Sequence, residues 1–134
     1  MPKLNVDHPD MRTHLFDSIA FWLKDVGFDA LRLDHANGPA MHFWTELRAF
    51  VQEIKPDAWV FGEVVAPPDE MRCYYGRLHG VLDFMHVQAL RQTFAFGSME
   101  VAQFDRLVEA LNDFYPADFT RPMFLDNHDM DRFS

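Results

Sequence analysis

The sequence lacks the features that would fix a compartment or a membrane association. Cys73 is the only cysteine among the 134 residues, so an internal disulfide is excluded and the redox environment is left unspecified. No apolar run approaches the ~20 residues that a membrane-spanning helix needs, which argues against a membrane partner. The first residues contain no apolar signal core, so localisation stays open, with the cytoplasm only weakly favoured.

Basic residues are also in short supply. Twelve Lys and Arg residues stand against 21 Asp and Glu residues, which gives a formal net charge of −9. Nucleic acids bind basic patches, so a nucleic-acid partner is not expected, whereas an uncharged substrate is compatible with this charge. The seven His residues include no pair at the i, i+4 spacing of a zinc-binding helix, so neither a metal nor a cofactor is predicted.

Hydrophobic residues are abundant and occur in an alternating order of elements. They make up 49% of the chain, and aromatic residues make up 15%, which is enough for one core in a single domain over residues 1–134. Strands are predicted at 30–34, 58–61, 80–84 and 122–126, and helices at 9–26, 40–54, 87–96 and 101–111. Strand alternating with helix indicates a parallel α/β fold. An open sheet of four such strands would be poorly covered, so the domain is expected to be incomplete.

Apolar stripes predict which face of each helix is buried. The stripes are Leu15, Ile19, Trp22 and Val26 in the first helix, Trp44, Leu47, Val51 and Ile54 in the second, and Val101, Phe104, Val108 and Leu111 in the last. Pro9 suits the first turn of a helix, Gly27 suits a C-terminal cap, and Ser98 is the predicted N-cap of the last helix.

Acidic residues follow three of the four predicted strands. Asp34 ends the first strand, Glu63 follows the second, and Asp126 and Asp129 follow the fourth. In a parallel β/α barrel the C-terminal ends of the strands share one mouth, so carboxylates far apart in sequence can converge there. Hydrolysis of a glycosidic bond by two carboxyl groups needs such convergence.

Two of these carboxylates have neighbours that suit different roles. Arg32 and Asp34 lie two residues apart on one strand and therefore face the same side, where the guanidinium favours the ionised carboxylate of a nucleophile. Glu63 follows Phe61 and Gly62, where partial burial would favour the protonated form of a general acid.

Each of these features can also be explained by a structural role alone. The pattern does not decide between the structural and the functional interpretation. The Arg32 and Asp34 pair could be a structural ion pair, and a glutamate after a glycine is usually solvated. His128 beside Asp129 could bind sugar hydroxyls or simply form a turn. Tyr74 and Tyr75, which follow Glu63 in the chain, are candidates for substrate contact, or they could pack within a loop.

Three segments together resemble a known family. GFDALRLDHA (27–36), FGEV (61–64) and FLDNHD (124–129) resemble three consecutive signature segments of the α-amylase family, glycoside hydrolase family 13, in order and in spacing. The resemblance covers essentially the whole chain. It implies part of a (β/α)8 TIM barrel, roughly strands 4 to 7 with their helices, that is incomplete at both ends.

The resemblance also assigns roles to individual residues. It implies that Asp34 is the nucleophile and that Glu63 is the general acid and base. Asp129 would be the third carboxylate, which grips the sugar and stabilises the distorted transition state. Arg32 would hold Asp34, and His128 would bind substrate beside Asp129.

The N-terminal segment MPKLN (1–5) resembles a mark of the neopullulanase, cyclomaltodextrinase and maltogenic amylase subgroup. In that case Asn5 would support the site, and Met1 would be an internal residue. The sequence departs from the subgroup at Gly38, where glutamate is usual. Many α-amylases have Lys-His where Asn37 and Gly38 stand, so one familiar contributor to a calcium site is missing, although calcium in a full-length parent is left open.

The resemblance therefore implies a retaining glycoside hydrolase of carbohydrate metabolism that acts on α-1,4-glucosidic bonds of maltooligosaccharides, cyclodextrins or starch. A glucosyltransferase or isomerase of the same family, such as a trehalose-forming enzyme, would use the same carboxylates and is the first alternative. A non-catalytic family member is the second, and the intact carboxylates argue against it. The chain alone is expected to have negligible activity, and a homodimeric parent is left open.

Overall fold

Helices alternate with parallel strands in the computed structural model, which describes residues 4–133. The elements are α1 (Pro9–Ala20), β1 (Ala30–Leu33), α2 (Met41–Ile54), β2 (Trp59–Gly62), α3 (Pro68–Arg72), β3 (Gly80–Val81), α4 (Phe84–Leu90) and α5 (Val101–Phe114). π-Helical turns at Phe21–Asp25 and Arg91–Ala95 directly follow α1 and α4. The chain divides into two compact units, residues 1–81 and 82–134, and the single domain inferred from the sequence stays a prediction.

The first unit contains a three-stranded parallel sheet in the order β1-β2-β3. Arg32 lies opposite Phe61, and Leu33 lies opposite Gly62. Parallel strands covered by helices bury their apolar residues, and Val60 in the central strand is fully buried. On α2 the predicted stripe is confirmed for its first three members, because Trp44, Leu47 and Val51 are buried.

The first helix follows its prediction less closely. Pro9 occupies the first turn as predicted, and Gly27 has a left-handed φ of 86° just after the helical segment. However, Trp22 and Val26 are each 45% exposed, whereas Leu23 is 1% exposed. The π-helical turn explains this error, because a π turn holds more residues than an α turn and shifts the buried face along the chain.

The second unit is built around α4 and α5. Its buried hydrophobic residues include Val87, Ala89, Leu111, Tyr115 and Phe119. Asp83, which is 2% exposed, is the N-cap of α4 and accepts a hydrogen bond from the backbone N–H of His86 at 2.9 Å. Its other carboxylate oxygen pairs with Arg121 at 2.7 Å. A buried carboxylate therefore both begins a helix and neutralises a cation.

Ser98 is not the N-cap of α5, so that prediction was wrong. Glu100 and Gln103 form a reciprocal capping box instead, and the amide of Gln103 accepts the Glu100 backbone N–H at 3.0 Å. The Ser98 hydroxyl donates to the carbonyl of Gln92 at 3.3 Å. Val101, predicted to be buried, is 63% exposed, whereas Leu111 is 5% exposed. Gln at the N3 position was the signal for the correct cap.

The fourth predicted strand, 122–126, was also wrong: within the described residues this segment has no regular secondary structure. Pro122 has no backbone N–H to donate to a ladder. Its carbonyl accepts the N–H of Asp83 at 3.1 Å. Phe124 packs edge-to-face against Phe84, with ring centroids 5.2 Å apart. A backbone bond at Pro122 and an aromatic contact at Phe124 thus take the place of the predicted strand pairing.

Candidate active site

One guanidinium joins two carboxylates at the C-terminal ends of neighbouring strands. Arg32 Nη1 donates to Asp34 Oδ1 at 2.5 Å, and Arg32 Nη2 contacts Glu63 Oε1 at 2.9 Å. The contact with Asp34 agrees with the two-residue spacing on β1. The contact with Glu63 arises because β1 and β2 are parallel neighbours whose ends lie side by side. Asp34 and Glu63 are therefore brought together by a planar fork that suits two carboxylates.

The two carboxylates differ sharply in their exposure to solvent. The Asp34 side chain is 74% exposed, whereas that of Glu63 is 15% exposed. Glu63 also accepts a backbone N–H from His35, at 3.2 Å to Oε2. Two carboxyl groups side by side at the strand ends are an arrangement in which one can attack an anomeric carbon while the other transfers a proton.

The loop after β1 has a strained residue next to the candidate nucleophile. His35 has a φ of 46°, in the left-handed region that is uncommon for residues other than glycine. This conformation directs its backbone N–H to the Glu63 carboxylate. Sequence reasoning missed this donor, because a backbone conformation of this kind leaves no signal in residue type.

Ala36 connects this loop to β2 and to the helices that follow. It is fully buried, and its N–H donates to the carbonyl of Glu63 at 2.9 Å. Its carbonyl accepts two hydrogen bonds of 3.1 Å, one from the indole Nε1 of Trp44 and one from the hydroxyl of Tyr74. The candidate substrate contact of Tyr74 stays a prediction, but its hydroxyl is engaged inside the protein.

Asn37 makes a second connection between the same loops. Its amide donates to the carbonyl of Val65 and accepts the Val65 N–H, both at 3.3 Å. A cleft of about 370 Å³ lies alongside, lined by Asn37, Pro39, Ala40, Met41, Ala66, Glu70, Cys73 and Tyr74. Tyr75, the other predicted aromatic contact, is 43% exposed.

The second unit carries the third candidate carboxylate. His128 Nε2 lies 3.1 Å from Asp129 Oδ2, and both side chains are largely exposed. The Asp129 N–H donates to the side-chain oxygen of Asn127 at 2.9 Å, as in the turn that the sequence left as an alternative. Both His128 and Asp129 line an open cleft of about 570 Å³ together with Arg91, Met130 and Asp131. Such a polar cleft can offer hydrogen bonds to sugar hydroxyls, and convergence of Asp129 with Asp34 and Glu63 stays a prediction.

Asp126 closes the loop that presents Asp129. Arg132 donates to Asp126 Oδ1 at 2.7 Å, and the backbone N–H of Phe133 donates to Oδ2 at 3.1 Å. These bonds, first of all the one from Arg132, hold the pKa of Asp126 below its ordinary value. Arg91 donates to the carbonyl of Asp131 at 2.8 Å and so anchors the same loop. Asp126 therefore serves this loop rather than standing as a second reactive carboxylate.

The N-terminal segment is only partly described. Residues 1–3 of the MPKLN segment lie outside the described residues, so its resemblance to the subgroup has no structural counterpart there. Asn5 is exposed, and its side-chain oxygen accepts the N–H of Asp7 at 3.1 Å. Its carbonyl accepts the N–H of His8 just before α1. The structure thus assigns Asn5 a turn, and its support of the site stays a prediction.

In the described part of the chain, no group of three or more His, Cys, Asp and Glu side chains could hold a metal ion. No helix within residues 4–133 has both the length and the apolar character needed to cross a membrane.

Comparison with known proteins gives matches along the whole chain. The alpha amylase catalytic domain family matches residues 1–134. Alpha-amylase 2 of Dictyoglomus thermophilum is 31% identical over 133 residues, which cover 99% of this chain and 24% of that protein. A cyclomaltodextrinase of Geobacillus thermopakistaniensis is 34% identical over 136 residues, covering 98% of this chain and 23% of that protein.

Solved structures give the same result at the level of the backbone. An Anoxybacillus alpha-amylase superposes with a TM-score of 0.89 at 26% identity, covering 99% of this chain and 30% of that chain. The chain therefore spans about a quarter of the length of the curated relatives that it matches.

Proposed function

The chain belongs to the alpha-amylase catalytic-domain family, and on that premise we propose that the full-length protein is a retaining glycoside hydrolase acting on α-1,4-glucosidic bonds. Its fold is part of a (β/α)8 barrel, as the sequence predicted. Relatives named cyclomaltodextrinase, neopullulanase and maltogenic amylase confirm the resemblance to that subgroup. These names lead us to propose maltooligosaccharides, cyclodextrins or starch as substrates.

The bridge formed by Arg32 is the observation that supports this proposal most directly. It keeps Asp34 and Glu63 side by side, which is what a double displacement requires. In the first step Asp34 attacks the anomeric carbon, while Glu63 gives its proton to the leaving oxygen. In the second step Glu63 takes a proton from water, and this water attacks the same carbon and displaces Asp34. The two successive displacements leave the sugar with its original anomeric configuration.

We further propose roles for Asp129 and His128, which lie in the second unit. Asp129 would bind sugar hydroxyls and favour the distorted ring, and His128 would donate a hydrogen bond beside it. The open, polar cleft that both residues line is compatible with such a role. A carboxylate whose interactions strengthen as positive charge develops on the ring lowers the barrier rather than only tightening binding.

Trapping the covalent intermediate tests the nucleophile. A slow-turnover fluorinated maltosyl fluoride should inactivate the full-length protein, and mass spectrometry of its peptides should find the sugar on Asp34. A retaining mechanism also requires carboxyl groups about 5–5.5 Å apart. A sugar attached to any other residue would contradict the assignment.

Azide rescue separates the roles of the two carboxylates. With α-maltosyl fluoride, Asp34→Gly should form β-maltosyl azide, because azide then attacks the substrate directly and inverts the anomeric carbon. Glu63→Ala should form α-maltosyl azide, because azide replaces water in the second of two displacements. Asp57→Asn and Glu53→Gln remove exposed carboxylates elsewhere in the first unit, and these controls should behave like the wild type. If both site variants formed the same anomer of maltosyl azide, the assignment of roles would be wrong.

Product analysis decides between hydrolysis and transfer. Incubation with maltotriose should release glucose and maltose if water is the main acceptor. Accumulation of longer oligosaccharides, or formation of trehalose from maltose, would instead favour the glucosyltransferase or isomerase reading that the sequence left open.

A further inference from the structure

We propose that Tyr74 and Trp44 are positioning residues that hold the carboxylate of Glu63 in place through the buried backbone of Ala36. The proposal rests on the proposed function, because it takes Glu63 to be the general acid and base. Neither side chain needs to touch the substrate for this role.

The main chain of Ala36 is bonded in both directions. Its N–H donates to the carbonyl of Glu63 at 2.9 Å. Its carbonyl accepts the Trp44 indole N–H and the Tyr74 hydroxyl, each at 3.1 Å. Ala36 thereby connects Glu63, which directly follows β2, to α2 and to the segment after α3.

Both donors to Ala36 are buried, so their hydrogen bonds are shielded from solvent. Trp44 and Tyr74 are each 4% exposed, and Ala36 is fully buried. Burial, the largest cause, raises the pKa of Tyr74, so its hydroxyl keeps the proton that it donates. Removal of either donor leaves the Ala36 carbonyl with one hydrogen bond instead of two, so the position of the loop is less firmly fixed.

Displacement of Ala36 would change the placement of the Glu63 carboxylate through the neighbouring residue His35. The His35 backbone N–H donates to Glu63 Oε2, and it does so from a left-handed conformation that other contacts must hold in place. The adjacent Ala36 supplies such contacts on both its N–H and its carbonyl. Loosening them would withdraw that donor and leave the Glu63 carboxylate less firmly placed for proton transfer.

This mechanism predicts a specific kinetic signature. The turnover number should fall because the acid is less well placed, whereas KM should change little. Direct contact of Tyr74 with the substrate would instead raise KM and leave the turnover number unchanged.

The experiment compares three variants of the full-length protein with the wild type, using maltotriose as substrate. Tyr74→Phe removes only the hydroxyl, Trp44→Phe removes the indole N–H, and Thr45→Val is the matched control. The Thr45 hydroxyl also bonds a backbone carbonyl, that of Met41, but on the exposed side of α2. Tyr74→Phe is expected to lower kcat about five- to tenfold, the range for loss of one buried hydrogen bond.

The outcomes distinguish this inference from the proposed function. Wild-type protein that neither hydrolyses maltotriose nor is labelled at Asp34 overturns the proposed function and this inference with it. Active wild type with a Tyr74→Phe variant that matches Thr45→Val in kcat overturns the positioning role alone, as does a change confined to KM. If Trp44→Phe fails to fold, Tyr74→Phe decides the question by itself.

Discussion

Gly62 is a residue where β2 has no room for a side chain. A Cβ there would lie 2.8 Å from Cδ1 of Leu78 and 3.0 Å from Cβ of Ala36. The Leu78 methyl can swing away, but Ala36 is buried and fixed by its backbone bonds. We expect Gly62→Ala to lower the free energy of unfolding by about 1–3 kcal/mol, the usual cost of overpacking.

Urea denaturation of the chain measures this change, and Gly38→Ala is the comparison. Its Cβ would meet the exposed His35 ring at 3.2 Å and the His35 carbonyl at 3.3 Å, contacts that are less tight. The loss should therefore be smaller for Gly38→Ala. Equal losses for the two variants would show that the close approach at Gly62 is not the cause.

Arg32 should not be replaceable by lysine. Two nitrogens of its guanidinium reach two different carboxylates, and a single ammonium cannot reproduce that planar fork. We expect Arg32→Lys in the full-length protein to lower kcat about a hundredfold, because small misplacement of reacting groups costs about that much. Steady-state hydrolysis of maltotriose measures the effect. The control is Arg106→Lys, at an exposed position of α5. Equal activities of the two variants would contradict the bridging role.

At the scale of single residues, sequence predicted contacts within an element better than contacts between elements. The pairing of Arg32 with Asp34 follows from the two-residue period of a strand, which local sequence contains. The contact of Arg32 with Glu63 depends on which strands are neighbours. The hydrogen bond from His35 depends on a backbone angle. Neither of these two properties is encoded by the spacing of residue types, so both had to come from the structure.

At the scale of elements, α2 and α1 show why one helix was predicted well and the other was not. Trp44, Leu47 and Val51 keep the α-helical period over most of α2, so the apolar stripe and the buried face agree there. After α1 the π-helical turn moves burial from Trp22 to Leu23. Apolar residues occur at both positions, so residue type alone does not reveal the change in period.

The start of α4 depends on the buried pair of Asp83 and Arg121. Asp83→Ala would remove the N-cap and leave Arg121, whose side chain is 12% exposed, without its carboxylate. We expect a loss of about 3–5 kcal/mol in the free energy of unfolding, the range for breaking a buried ion pair. Asp83→Asn should lose less, because its side-chain oxygen can still accept the N–H of His86.

Urea denaturation again provides the measurement for α4, with Asp105→Ala as the control. Asp105 is an exposed aspartate within α5, and its loss should change stability by only a few tenths of a kcal/mol. A loss for Asp83→Ala no larger than that of the control would contradict the role of the pair.

His79 links α2 to β2 in a way that depends on pH. Its Nδ1 accepts the N–H of Val60 at 2.9 Å, and Arg48 contacts its ring. Burial, and then the charge of Arg48, lower the pKa of His79 below its ordinary value. The folded protein therefore binds a proton at His79 less readily than the unfolded chain does.

The sign of the pH dependence follows from this difference. Where the unfolded state binds more protons, stability rises with pH. The contribution of His79 should be complete above its unfolded pKa of about 6.5 and should be lost as pH falls below that value. His79→Asn, which keeps an acceptor for Val60, should flatten this decline in urea denaturation, whereas His14→Asn on α1 should not. A decline of the same slope in both variants would rule out His79 as its origin.

At the scale of the whole molecule, the chain is part of a barrel, and its surface reflects that. Several large apolar side chains are exposed within each unit, among them Trp22 and Phe28 in the first and Phe94 and Phe96 in the second. Exposed apolar surface of this kind is typical of faces that are covered in a larger assembly. In the relatives that the chain matches, about three quarters of the protein lies outside the matched segment.

The purified chain of 134 residues is expected to hydrolyse maltotriose at a negligible rate. The Asp34 side chain is 74% exposed and that of Asp129 is 65% exposed, so water surrounds the groups that would stabilise charge in the transition state. Electrostatic stabilisation is strong only where a site excludes water and fixes its dipoles beforehand. Glucose release measured over hours, with Asp34→Asn as the background control, tests this expectation. Hydrolysis well above that control would contradict the expectation and would mean that the chain by itself encloses a working site.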